Sequence, residues 1–162
     1  MLVKDSITEA LLQLLKNKTL DKISIIEITN KAGVGRVSFY RNFESKEDIL
    51  KKYTDNITDN FVKNQKFKYN SKRFKEYLIM LFEHLNNHKD YCLLLYKNNL
   101  LYLVKETFDK YFLKNATNKN EQFNQMFISG GLFNIFEFWL INGCKEQPTE
   151  LSEMFFNFIY SN

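Results

Sequence analysis

The 162-residue chain has one proline, five glycines, two cysteines and two histidines, and each shortage removes a class of protein. So few Pro and Gly leave no supply of tight turns for a β-sandwich or barrel, so an all-α architecture is expected. Cys92 and Cys144 have no CxxC or CxxH companion, which suits reduced thiols in a cytoplasmic protein and not a disulfide framework. No run of the ~20 apolar residues needed for a membrane helix occurs: the longest uncharged stretch, residues 122–136, is interrupted by Asn and Gln. The opening MLVKDSITEALLQLLKNK interleaves charged and apolar residues, unlike a signal peptide, so neither export nor a membrane partner is expected. Catalytic signatures are missing as well. There is no phosphate-binding Gly-rich loop, no HExxH and no GxSxG, and neither His stands beside a nucleophile, so neither an enzyme nor a cofactor is expected.

What is present is apolar and charged material in globular proportion, 44% and 26%, with a net charge of +4. The 16 Phe and 9 Tyr, like the many Asn, Lys and Ile, have AT-rich codons, so their number alone carries no chemistry. Their spacing does. Ile7, Ala10, Leu11, Leu14 and Leu15 recur at helical intervals, with Asp5 or Ser6 expected as the cap. Ser24 followed by Glu27 is a capping box for a second helix, with Ile25, Ile28 and Ala32 inward and Gly33 as its left-handed end. A third helix carries RVSFYRNF, and SKED announces a fourth. Further helices are expected over 46–66, 72–86, 91–97, 100–114, 121–141 and 149–160. The polar breaks between them are too short for an interdomain linker.

Residues 24–48 have the layout of a helix-turn-helix. At 100° per residue Phe39 and Phe43 share one side of the third helix, while Arg36, Val37, Tyr40 and Arg41 fall opposite. That outer face, with the Ser38 hydroxyl, suits DNA: Arg pairs bidentately with guanine, Tyr reaches phosphate and Val touches a thymine methyl. Between positions 31 and 52 six basic residues outnumber three acidic ones. Lys46 is expected in the first turn of the next helix, its amine available to a phosphate.

The run ITEALLQLL…ISIIEITNKAGVGRVSFYRNFESKEDIL resembles the N-terminal DNA-binding domain of TetR-family transcriptional regulators over about residues 5–52. The resemblance implies Arg36, Val37, Ser38, Tyr40 and Arg41 as recognition-helix positions, and Ser24 and Lys46 as phosphate contacts. Gly35 departs from the family's usual Ser or Thr at the helix start. Residues 127–155, FISGGLFNIFEFWLINGCKEQPTELSEMF, are similar to the branch that regulates dihydroxyacetone kinase operons. The resemblance implies that the last two helices join a homodimer. Leu151, Met154, Phe155, Phe158 and Ile159 form an apolar stripe of that kind, with Phe155 and Phe158 as anchors.

The expected organisation is therefore a DNA-binding domain, 1–48, followed by a helical effector-binding and dimerisation domain, 49–162. The expected function is sequence-specific binding of a homodimer to a palindromic operator in double-stranded DNA, with affinity under effector control. The alternative is a helix-turn-helix co-regulator whose signal comes from a separate ligand-binding protein. Tyr77 and His84, Phe108 and Tyr111, and Met126, Phe133 and Trp139 are candidates for lining an effector cavity. His84, His88 and Cys92 are spaced four apart, but the intervening NNHKD reads as a helix break, so no metal site is expected. Gly130 and Gly131, inside an apolar helix, suggest close helix approach or room for a ligand.

Overall fold

The computed structural model describes residues 2–64, 73–114 and 116–160. Among them are nine α-helices, one short 3-10 turn and no strand. The helices are α1 (Val3–Leu15), α2 (Ile25–Ala32), α3 (Arg36–Asn42), α4 (Lys46–Asn64), α5 (Phe74–Asn87), α6 (Lys89–Lys97), α7 (Tyr102–Leu113), α8 (Lys119–Ile141) and α9 (Pro148–Tyr160), and the 3-10 turn, Leu20–Lys22, joins α1 to α2. The expected reach of α4 to residue 66 and the expected start of α5 at residue 72 fall outside the described residues.

The first three helices close around α4. Ile7 and Leu11 of α1, Ile28 of α2, Phe39 of α3, Phe43 just after it, and Ile49 and Leu50 of α4 are all buried in one cluster. Burial of each such side chain contributes roughly 1.5–3 kcal/mol, which is what fixes three short helices that would not be stable alone. α4 packs on α1 at one end and on α7 at the other, so the same helix belongs to both halves of the chain. In the body α5 lies on α9, α7 on α8 and α6 on α8. A polar pin crosses the α7–α8 contact: the fully buried Ser129 hydroxyl donates to Asp109 (2.6 Å), which also accepts from Lys105 (2.7 Å).

Helix starts differ from expectation in α6, which begins two residues early at Lys89, in α7, which begins two residues late at Tyr102, and in α1 and α8. α1 begins at Val3, because the Leu2 carbonyl accepts from the Asp5 and Ser6 amides; neither Asp5 nor Ser6 caps it, and the Ser6 hydroxyl turns back to the same carbonyl (3.4 Å). α8 begins two residues early, at Lys119, since Asn118 accepts from the Glu121 amide (3.0 Å) while the Glu121 carboxylate accepts from Thr117 N–H (2.7 Å). Of the two glycines in α8, Gly131 faces Phe155, where a Cβ would lie 3.6 Å from the ring, and Gly130 looks into open space. No helix among the described residues is long and apolar enough to cross a membrane.

Candidate nucleic-acid interface

The α2–α3 turn is built from local chemistry. Ser24 accepts from the Glu27 amide (3.2 Å) and the Glu27 carboxylate accepts from the Ser24 amide (2.9 Å), so the capping box is complete. Gly33 then takes φ 66°, a left-handed conformation costly for a residue with a side chain, and the Val34 amide reaches back to the Thr29 carbonyl (3.0 Å). Gly35 starts α3 in an extended conformation, with no side-chain cap.

α3 divides sharply. Phe39 is fully buried and Phe43 nearly so, their ring centroids 6.2 Å apart. On the opposite arc Val37 is 72% and Tyr40 54% exposed, Arg36 and Arg41 are exposed, and Ser38 is half-buried. Neither arginine enters an ion pair among the described residues, so both guanidinium groups stand ready for an anion or a base edge. At the helix end Lys52 bonds the Asn42 carbonyl (3.2 Å) and the Asp48 carboxylate (2.7 Å). Burial opposes ionisation of Asp48, but Lys52 and the Glu44 amide hold its carboxyl below the usual range.

Two expected phosphate contacts are already engaged. The Ser24 hydroxyl donates to Glu27 as well as accepting from it, and hydrogen bonds from Lys18 and then Ser24 draw the Glu27 carboxyl down to about 2. Lys46 does not extend freely: its ammonium donates to the Leu20 carbonyl (2.6 Å) and the Ile23 carbonyl (2.7 Å), tying the start of α4 to the 3-10 turn. The reason is geometric. The turn presents its carbonyls just where the α4 chain enters, and a buried carbonyl takes the nearest donor. Sequence pattern carries no sign of this bond, nor of the contact from Asn98, 78 residues away, to the Leu20 amide (3.1 Å).

In the body, α4, α5, α6 and α7 enclose a cavity of about 50 Å³. Four of the seven candidates line it, Tyr77, His84, Phe108 and Tyr111, together with Thr54, Phe61 and Cys92. The other three do not. Met126 is half exposed, while Phe133 and Trp139 are in the α8 core, where the Trp139 indole N–H bonds the Glu146 carbonyl (3.1 Å). Among the described residues no Asp, Glu, Lys or Arg lines the cavity. His84 stacks on Phe61 (4.6 Å between centroids) and meets His88 (4.7 Å); these three, with Ile57, also border an open groove of about 310 Å³. Burial, and then His88, push His84 down to about 4. Burial pushes the Cys92 thiol up to about 12. His88 sits at the junction of α5 and α6, where the helix breaks, and no three His, Cys, Asp or Glu side chains among the described residues gather as a metal site.

The terminal stripe also sorts differently from expectation. Leu151 and Phe155 are buried against the rest of the chain, Phe155 on Phe74 (6.2 Å), because α9 lies on α5. Met154 and Phe158 are exposed and Ile159 is half-buried. A broader apolar face runs along α8, where Phe123, Phe127 and Phe138 are each about two-thirds exposed.

Residues 7–53 match the family described as bacterial regulatory proteins, tetR family, and residues 72–161 match the family described as transcriptional regulator C-terminal region. Among solved structures the chain is similar to a TetR transcriptional regulator from Streptococcus agalactiae, with a TM-score of 0.71, 21% identity, and coverage of 97% of this chain and 93% of that one. It is also similar to the fatty acid degradation regulator FadR from Bacillus halodurans, with a TM-score of 0.59, 19% identity, and coverage of 93% and 90%. At these identities the likeness is one of fold. No curated protein matches the chain.

Proposed function

The chain belongs to the TetR family of transcriptional regulators, and from that premise we propose that it is a homodimer that binds a palindromic operator in double-stranded DNA, with its affinity set by an effector. Residues 1–48 are the DNA-binding domain in this reading and residues 49–162 the effector and dimerisation domain. The observation that carries it is the division of α3, with Phe39 and Phe43 buried and Arg36, Val37, Tyr40 and Arg41 turned outward. Arg36, Val37 and Arg41 enter the major groove and Ser38 lies at its edge. Tyr40 and the third N–H of Lys46 hold phosphate, and Ser24 places the N-terminus of α2 against the backbone. The α8 and α9 faces bearing Phe123, Phe127, Phe138, Met154 and Phe158 meet their two-fold copies, with Ile159 at the margin. That symmetry requires a palindrome.

Selection of bound fragments from random DNA by the purified protein tests this. The expected result is an enriched palindrome with half-sites about one helical turn apart. Recovery of no enriched palindrome at low salt overturns it.

The effector reading rests on the cavity faced by Tyr77, His84, Phe108 and Tyr111. Its described lining holds no Asp, Glu, Lys or Arg, and burial favours the neutral form of His84 and His88, which suits an uncharged, mostly apolar molecule. A volume of about 50 Å³ is well below the ~150 Å³ that accommodates benzene, so such a molecule enters only by parting the Phe61–His84 stack towards the groove. The same small volume favours the second reading, a co-regulator that receives its signal from a separate ligand-binding protein, as the likeness of residues 127–155 to regulators of dihydroxyacetone kinase operons suggests. A partner protein that co-purifies and alters operator affinity would establish it.

A further inference from the structure

We propose that Asn98 is a positioning residue for DNA binding: from the end of α6 it holds the Leu20 peptide, fixes the angle of the α1–α3 unit on the body, and so sets the half-site separation that the dimer accepts. This rests on the DNA-binding reading above.

Both backbone polar groups of Leu20, which belong to the peptide units on either side of it, are held by side chains. Its carbonyl accepts from Lys46 (2.6 Å), a neighbour through α4, and its N–H donates to the Asn98 side-chain oxygen (3.1 Å). The Asn98 amide cannot turn round, because its nitrogen donates to the Leu94 carbonyl (2.9 Å), which only accepts, whereas the Leu20 N–H only donates. The backbone beyond it is closed as tightly. Asn99 takes a left-handed φ of 58°, and the Leu100 amide returns to the Leu95 carbonyl (2.9 Å), placing Leu100 and Leu101 in the core.

The other end of the same helix is also attached. The Tyr91 hydroxyl bonds the Leu50 carbonyl (3.1 Å) and the Thr54 hydroxyl (2.8 Å), both on α4. Positions 91 and 98 are about 10 Å apart along a helix axis. The α1–α3 unit closes around the start of α4, so α6 grips that assembly twice, on α4 through Tyr91 and on the 3-10 turn through Asn98, and loss of the second grip leaves α1–α3 free to tilt about the first. In a two-fold dimer any such pivot alters the distance between recognition helices, and one base pair changes half-site separation by only about 3.4 Å. Loss of Asn98 therefore loosens the spacing requirement without touching the surface that meets DNA.

The test uses full-length protein and its Asn98→Ala and Asn98→Asp variants. The probes are duplexes carrying the palindrome selected by the wild type, the same half-sites with one base pair inserted or removed, and a single half-site. The wild type is expected to discriminate against altered spacing by about tenfold, and Asn98→Ala by about threefold or less, with single half-site affinity unchanged. Asn98→Asp keeps an acceptor for the Leu20 N–H but sets its second oxygen against the Leu94 carbonyl, so it is expected to restore only part of the discrimination. Amide exchange at Leu20 in the folded population is the second readout, expected to be about tenfold faster in Asn98→Ala and intermediate in Asn98→Asp. A wild-type spacing profile or an unchanged Leu20 exchange rate in Asn98→Ala overturns the proposal. So does a uniform loss on every duplex including the half-site, which marks a structural role alone. A wild type that selects no palindrome removes the DNA-binding reading as well.

Discussion

The α1–α3 unit and the body leave apolar side chains in water in two different ways. In the first unit Leu2 and Val3 are exposed at the start of α1 and Ile26 stands alone on α2, while α3 sets Val37 and Tyr40 among arginines. In the body Phe123, Met126 and Phe127 are exposed within two turns of α8, with Phe138 further along and Met154 on α9. A surface that meets a wet polyanion needs charge and hydrogen-bond donors around each apolar contact. A surface that meets another protein face needs contiguous apolar area that both partners withdraw from water. The contrast suits the two surfaces to the two partners proposed above, DNA at α3 and a second copy of the chain at α8 and α9, and substitutions at each surface test it.

The largest effect is expected from Phe39→Ala. Truncating this fully buried ring removes roughly 3–5 kcal/mol from the α1–α3 core and should abolish DNA binding while the body still sediments as a dimer. Denaturant unfolding followed by amide exchange checks it; simultaneous loss of structure in both halves would remove the distinction between them. Next is the pair Phe127→Asp with Phe138→Asp, where each central aromatic side chain is expected to contribute about 2 kcal/mol to association. Sedimentation should show monomers that bind a single half-site, and a persistent dimer would place the interface elsewhere.

Arg36→Ala or Arg41→Ala should cost about 1–3 kcal/mol on the operator and relax preference at one or two base positions, with little change on random DNA. Equal loss on both DNAs, measured at several salt concentrations, would make these side chains phosphate contacts instead. The smallest effect concerns His84. Burial and then His88 hold it at about 4, below its ordinary 6.5, so the unfolded chain takes the proton first. Stability from the neutral, buried ring is complete above pH 6.5 and is lost as pH falls toward 4. His84→Leu should flatten that fall in melting temperature by about 2–4 °C, and an unchanged pH profile would show that the ring is solvated.

The elements that were legible are those whose signal lies within a few residues. Ser24 with Glu27, the left-handed Gly33, and Phe39 opposite Arg36 and Arg41 require only helical geometry and the caps of α2. Where pattern misled, a second element was involved. α8 carries apolar residues all round, so periodicity cannot say which side is core: Trp139 and Phe133 turned inward away from the cavity and Phe123 and Phe138 outward. On α9 the stripe was real, but α5 took Leu151 and Phe155 from it. Lys46 looked like a free amine because its acceptors, the carbonyls of Leu20 and Ile23, are more than 20 positions away in sequence.

Order of residues alone thus determined the helices, their caps and the outward chemistry of α3, since each depends on interactions over one or two turns of chain. Packing decided which faces of α8 and α9 remained in water, which aromatic side chains reached the cavity, and what Lys46 and Asn98 hold. Those outcomes depend on which buried surface or unpaired carbonyl and amide lies nearest in space, and a chain whose described residues fold into nine helices brings together neighbours as far apart as Leu20 and Asn98.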